Sequence, residues 1–192
     1  MTRFFWLRHA PTHERAFTGW RDVPADLSDR NLIARVARLL PTDALVVSSD
    51  LIRARTTADA LTGPRTRLPD DPGLREFHFG IWDGQMWHEV AASDPELSRA
   101  YWETPGDIAP PGGESWNMAD ARIEAAVQRL IAAHAGRNIV VVAHFGTILT
   151  QVARARAQSP SEALAQLVEP LSLTEIVVDG AERRVLRVNH LA

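Results

Sequence analysis

Asn138-Ile139-Val140-Val141-Val142-Ala143, closed by His144, is the stretch that decides the fold. It has no alternation of polar and apolar residues. Such a run reads as a strand buried on both faces, as in a parallel sheet covered by helices on each side. Two other short apolar runs share its character: residues 3–8, read as the opening strand, and residues 44–48. Between and after these runs the period changes. Leu32, Ile33, Val36, Leu39 and Leu40 fall at helical spacing behind Ser28 or Asp29 as a cap. Asp50 is read as the cap of a helix over 51–61 that Gly63-Pro64 stops, with a brief strand at 65–68. A further helix spans 119–134, another runs from about 147 to 157, and strands near 172–178 and 183–188 form a hairpin around Gly180. Strand–helix alternation of this kind predicts an α/β fold. The expected architecture is a three-layer sandwich, with helices on both faces of a mostly parallel sheet holding at least one antiparallel strand.

The middle of the chain breaks the alternation. Residues 77–116 carry Pro95, Pro105, Pro110-Pro111 and Gly112-Gly113, with short helical stretches near 85–92 and 95–103. Trp82, Trp87, Trp102 and Trp116 lie there. The segment reads as a lid inserted into a single domain covering residues 1–192, its tryptophans a candidate roof over a site.

Composition narrows the chemistry. The 192 residues are 45% apolar and 23% charged, with a net charge of −3, so no basic bulk points to nucleic acid or to an anionic membrane. There is no Cys, which excludes thiolate nucleophiles, disulfides and Cys-based metal sites. All 21 basic residues are Arg, so phosphate loops and Schiff bases that need Lys are excluded too. Anions must be held by guanidinium groups, His or backbone N–H groups. The one His-x-x-x-His pair, His9 and His13, has Pro11 between its members, which argues against a metal-chelating helix face, and no metal or cofactor is expected. No apolar run reaches the roughly 20 residues of a membrane span, and the first residues lack a signal-peptide core, so a cytoplasmic protein is the expectation.

Ligands of open α/β sheets bind at the carboxyl ends of the strands. Here those ends carry Arg8-His9, Ser48-Ser49 and His144. Arg53 joins them by a separate argument. A cation in the first turn of a helix opposes the helix dipole by up to about 1 kcal/mol, and a bound anion served by both would reverse that.

These residues carry a resemblance. Leu7-Arg8-His9-Ala10 resembles the Leu-Arg-His-Gly signature of the histidine phosphatase superfamily, the phosphoglycerate mutase-like proteins. The segment from Ser48 to Ala58, with Arg53-Ala54 and Thr57-Ala58, is similar to that family's second block. Leu74-Arg75-Glu76 with Phe79-Gly80, Trp82 and Gly84 resembles its third. Pro111-Gly112-Gly113-Glu114-Ser115 and Val142-Ala143-His144-Phe145-Gly146 resemble the fourth and fifth. The order is the family's, over most of the chain, and the turn at 111–115 resembles the phosphatase branch that includes α-ribazole phosphatase-like members.

The resemblance implies a phosphomonoester hydrolase that works without metal on a small-molecule phosphate ester. It makes His9 the nucleophile, Arg8, Arg53 and His144 the holders of phosphate oxygens, and Glu76 the proton donor. Three departures affect the phosphate contacts. Ala10 and Phe145 stand where the family has Gly, and Arg15 stands near a usual Asn. Phe145, Thr12 and Arg15 are therefore candidate replacements for phosphate contacts, and Thr18 and Gly19 candidate parts of a substrate wall. Two alternatives use the same residues: phosphoglycerate mutase-type transfer, and a non-catalytic module that binds a phosphate ligand. The short span from Glu76 to His144 favours hydrolysis over the mutase.

Overall fold

The computed structural model describes all 192 residues. Its six strands are β1 (Thr2–Arg8), β2 (Leu45–Ser48), β3 (Thr66–Arg67), β4 (Asn138–Ala143), β5 (Leu173–Asp179) and β6 (Glu182–His190). They form one sheet in the order β3-β2-β4-β1-β5-β6. β1, β2, β3 and β4 are mutually parallel, and β5 runs antiparallel to both β1 and β6. β1 and β4 are thus the two central strands, which is why each is apolar on both faces.

Alternation along the central strands feeds two cores. Phe4, Trp6, Ile139 and Val141 point to one face, against Ile123, Val127, Ile148 and Leu149 of helices α5 (Trp116–Ala133) and α6 (Phe145–Arg156). Phe5, Leu7, Val140 and Val142 point to the other, against Ile33 and Val36 of α1 (Arg30–Leu39) and Ala54, Ala58 and Leu61 of α2 (Ile52–Thr62). This is the expected three-layer α/β arrangement.

Several element ends differ from the sequence reading. Asp29 caps α1, accepting from the Leu32 N–H at 2.9 Å. Asp50 does not cap α2. Leu51 occupies the cap position without a side-chain bond, Asp22 accepts the Ile52 N–H at 2.6 Å, and Asp50 instead takes a two-pronged bond from Arg75. α6 begins at Phe145 rather than near 147, because His144 itself stands at its cap. α5 begins at Trp116 rather than 119, since Ser115 caps it by accepting the Met118 N–H. A short helix, α7 (Pro160–Leu164), was not anticipated; Ser159 and Glu162 close a reciprocal capping box at its start.

The inserted stretch holds α3 (Trp87–Ser93) and α4 (Pro95–Glu103). They close a small cluster of their own, Trp82, Val90 and Tyr101, against Phe17 and Phe79. No helix is long and apolar enough to cross a membrane.

Candidate active site

Register places the two histidines. Arg8 on β1 lies opposite Ala143 on β4, so the next residues, His9 and His144, leave adjacent parallel strands side by side. Their ring centroids are 5.2 Å apart at an interplanar angle of 60°. The neighbouring strand β2 runs into α2, which presents Arg53 as its second residue. The end of β1 and the first turn of α2 therefore bring Arg8, His9 and Arg53 to a cleft of ≈ 390 Å³ that Glu76 also lines, while His144, at the end of β4, is fully buried beside His9 and is not among the lining residues.

His9, Arg8, Arg53 and Glu76 are held by backbone groups. His9 Nδ1 lies 2.7 Å from the carbonyl oxygen of Ala10. A carbonyl only accepts, so Nδ1 carries the proton and Nε2 keeps the lone pair. Burial, aided by the charges of Arg53 and Arg8, lowers the His9 pKa to about 3, with the Ala10 bond opposing. The ring is neutral near pH 7. His144 is fully buried, neither ring nitrogen has a protein partner, and its pKa is also well below the usual value through burial. A buried ring with unmet hydrogen-bonding capacity costs about 1–3 kcal/mol unless something else supplies the partner.

Arg53 is 1% exposed. Its guanidinium donates to the carbonyls of Arg21 (3.0 Å), Thr18 (3.3 Å) and Gly19 (2.7 Å). That answers the oddity of a cation in a first helical turn: the loop 18–21 turns three carbonyl dipoles onto it. Arg8 Nη1 donates to the Val168 carbonyl at 2.7 Å, its Nε has no protein partner, and the group lies 5.6 Å from the Phe145 ring centroid.

Glu76 is buried, and burial raises its pKa, although two backbone N–H groups and the two arginines oppose. The N–H of Phe77 donates to Oε1 at 3.0 Å and that of Gly146 to Oε2 at 3.1 Å. Gly146 leaves space for this. A Cβ there would sit 2.6 Å from Glu76 Oε1.

The remaining candidates divide. Thr12, Thr18 and Phe145 line the cleft beside the arginines. Arg15 is exposed and is not among the lining residues. Gly19 lies behind Arg53, accepting from it, and a side chain there would strike the Phe77 carbonyl at 2.6 Å. The tryptophans divide too. Trp82 is core of the small cluster with Val90 and Tyr101 and Trp87 is exposed, while Trp102 and Trp116 border a second, apolar pocket that also touches Glu76.

Some roles escape sequence reasoning. Arg122 of α5 donates to the carbonyls of Gly73, Arg75 and Glu76 and makes a two-pronged pair with Glu114. The Trp20 indole N–H donates to the same Glu76 carbonyl at 2.8 Å. Together they pin the backbone that carries Glu76. Glu114, noticed only as part of a turn, is the brace for Arg122 and also accepts the His78 N–H. No three His, Asp or Glu side chains converge anywhere as a metal site would require.

Comparison with known proteins gives a consistent picture. The "Bifunctional protein Rv2228c" of Mycobacterium tuberculosis (strain H37Rv) is 34% identical over 199 residues, which cover 94% of this chain and 52% of that protein. The chain thus spans about half the length of the first curated relatives it matches. Among solved structures, Bacillus stearothermophilus YhfR superposes with a TM-score of 0.91 at 28% identity, covering 100% of this chain and 98% of that one. The mycobacterial glucosyl-3-phosphoglycerate phosphatase Rv2419c, in its complex with inorganic phosphate, gives 0.84 at 28% identity, over 98% of this chain and 97% of that one. Residues 4–191 match the family model described as "Histidine phosphatase superfamily (branch 1)", and the chain belongs to that superfamily.

Proposed function

We propose that the protein hydrolyses the phosphomonoester of a small phosphorylated metabolite through a phosphohistidine at His9, without a metal ion. The observation that carries this reading is the bond from His9 Nδ1 to the Ala10 carbonyl, because it leaves Nε2 unprotonated beside two guanidinium groups.

The Nε2 lone pair attacks phosphorus. The P–O ester bond breaks, its electron pair stays on the leaving oxygen, and the carboxyl of Glu76, whose hold on a proton burial strengthens, gives that oxygen a proton. Arg8 and Arg53 offset the negative charge on the phosphoryl oxygens, in the planar geometry that Lys lacks. A phosphoryl oxygen also supplies the partner missing from the buried His144 ring. In the second half, water attacks the phosphohistidine, the Glu76 carboxylate takes a proton from it, the N–P bond breaks and inorganic phosphate leaves. That the structurally similar Rv2419c forms a complex with inorganic phosphate is in keeping with a phosphate-ester substrate.

The test is rapid quenching of the protein with a ³²P-labelled phosphomonoester. An acid-labile, base-stable label on the wild type, absent from a folded His9→Ala variant that has lost activity by about four orders of magnitude, is the expected result. Activity near wild type in His9→Ala overturns the mechanism. Turnover of 3-phosphoglycerate with its 2,3-bisphosphate primer far above phosphate release makes the protein a mutase instead.

A further inference from the structure

We infer that the alcohol half of the substrate carries an apolar ring, and that this ring enters the pocket on the far side of Glu76. The inference rests on the phosphatase reading and adds the substrate class to it.

The pocket is walled by Phe79, Tyr101, Trp102, Trp116, Phe145 and Leu164, and its one ionisable carboxyl is that of Glu76. Its volume is ≈ 50 Å³. That is about a third of the ~150 Å³ cavity that takes up a whole benzene ring, so the pocket admits the edge of a ring and leaves the rest against the exposed face of Trp102. It shares Glu76, Phe79 and Phe145 with the polar cleft. The order in space is therefore the phosphoryl site, then Glu76, then the apolar pocket. An ester oxygen that takes its proton from Glu76 has to lie beside that carboxyl, so whatever is bonded to the oxygen extends toward the aromatic walls. Trp102 is 41% exposed and stacks on Phe17 of the cleft at 6.0 Å and 10°, so one aromatic strip joins the two cavities and leaves an indole face for a ligand to cover.

Charge points the same way. The only cations lining either cavity are Arg8 and Arg53, and the phosphoryl group uses both. Arg21, on the nearby loop, is engaged by Glu14 and Asp83. A leaving group with its own carboxylate or second phosphate would be desolvated there without a partner.

The experiment compares kcat/KM of the full chain for benzyl phosphate, methyl phosphate and 3-phosphoglycerate, all esters with alkoxide leaving groups. Benzyl phosphate is expected to exceed each of the others by at least about thirtyfold. Trp102→Ala, at a half-open position, is expected to lower the benzyl-to-methyl ratio about tenfold, and Leu164→Arg to lower it further while favouring 3-phosphoglycerate. Calorimetry with non-hydrolysable benzylphosphonate and methylphosphonate should give the same order of affinity. Equal kcat/KM for benzyl and methyl phosphate, or a ratio untouched by both variants, overturns the inference and leaves the phosphatase standing. Tighter binding of benzylphosphonate with no hydrolysis of any ester leaves the pocket standing and overturns the phosphatase.

Discussion

Gly146→Ala is a substitution that helix propensity alone would favour, by up to about 1 kcal/mol. The surroundings of Glu76 oppose it. The new Cβ would lie 2.6 Å from Glu76 Oε1 and 3.0 Å from two carbons of the Phe77 ring. Ordinary contact begins near 3.4 Å, so the carboxyl would have to retreat by up to about 0.8 Å. The retreat also stretches the bond from the Gly146 N–H to Oε2, now 3.1 Å. A misplacement of about 1 Å in a reacting group costs about 100-fold, so kcat/KM for an alkyl phosphate should fall about 30- to 100-fold. That corresponds to roughly 2–2.7 kcal/mol of lost transition-state stabilisation. An ester such as 4-nitrophenyl phosphate, whose leaving group needs little help from an acid, should lose less than about fivefold. Steady-state kinetics with both esters measures this, and a melting curve by circular dichroism shows that the variant is folded. Equal losses for the two esters, or an alkyl loss under about threefold, would refute the assignment of Glu76 as proton donor.

Acid should destabilise the fold through the histidines. The folded pKa of His9, about 3, lies below the unfolded value near 6.5, so the stability it contributes is complete above pH 6.5 and is lost as pH falls toward 3. His9→Asn should flatten the Tm-against-pH curve in that window, and an unchanged slope would contradict the burial of a neutral ring. Arg53→Lys should cost at least about 100-fold in kcat/KM, because an ammonium group cannot serve three carbonyls and a phosphoryl group together; steady-state kinetics would detect a smaller effect. Arg122→Gln strands Glu114 and frees the backbone under Glu76, which should lower stability by about 2–3 kcal/mol in urea melts.

The parts of the fold that could be read from the sequence are those governed by local period. β4 announces itself by uninterrupted branched residues and α1 by its stripe of Ile33 and Val36, and both stand where the pattern puts them. Cap assignments that depend on distant residues were not legible. Asp50 sits at the right place to cap α2 but is drawn off by Arg75, and the N–H it might have taken goes to Asp22, 30 positions away. The cleft shows the same division. Arg8, His9, Arg53 and Glu76 do line one cleft, the first two marked by a strand end, Arg53 by its place in a first helical turn and Glu76 by the family resemblance, while His144 lies buried behind it. Arg122 went unnoticed, and Trp20 stood out only as part of the stretch 17–20, because both act on a carbonyl, which no side-chain pattern reveals. Gly19 and Arg15 could not be sorted from sequence, since what separates them is the direction in which one loop faces.

The position of β1 between β4 and β5 bears on how the molecule is made. The segment bearing His9 precedes in the chain both strands that flank it, Asn138–Ala143 and Leu173–Asp179, so it is synthesised before either. Until the first of these clears the exit tunnel, the strand Thr2–Arg8 has two open edges, and until the second does, one edge stays open beside His9.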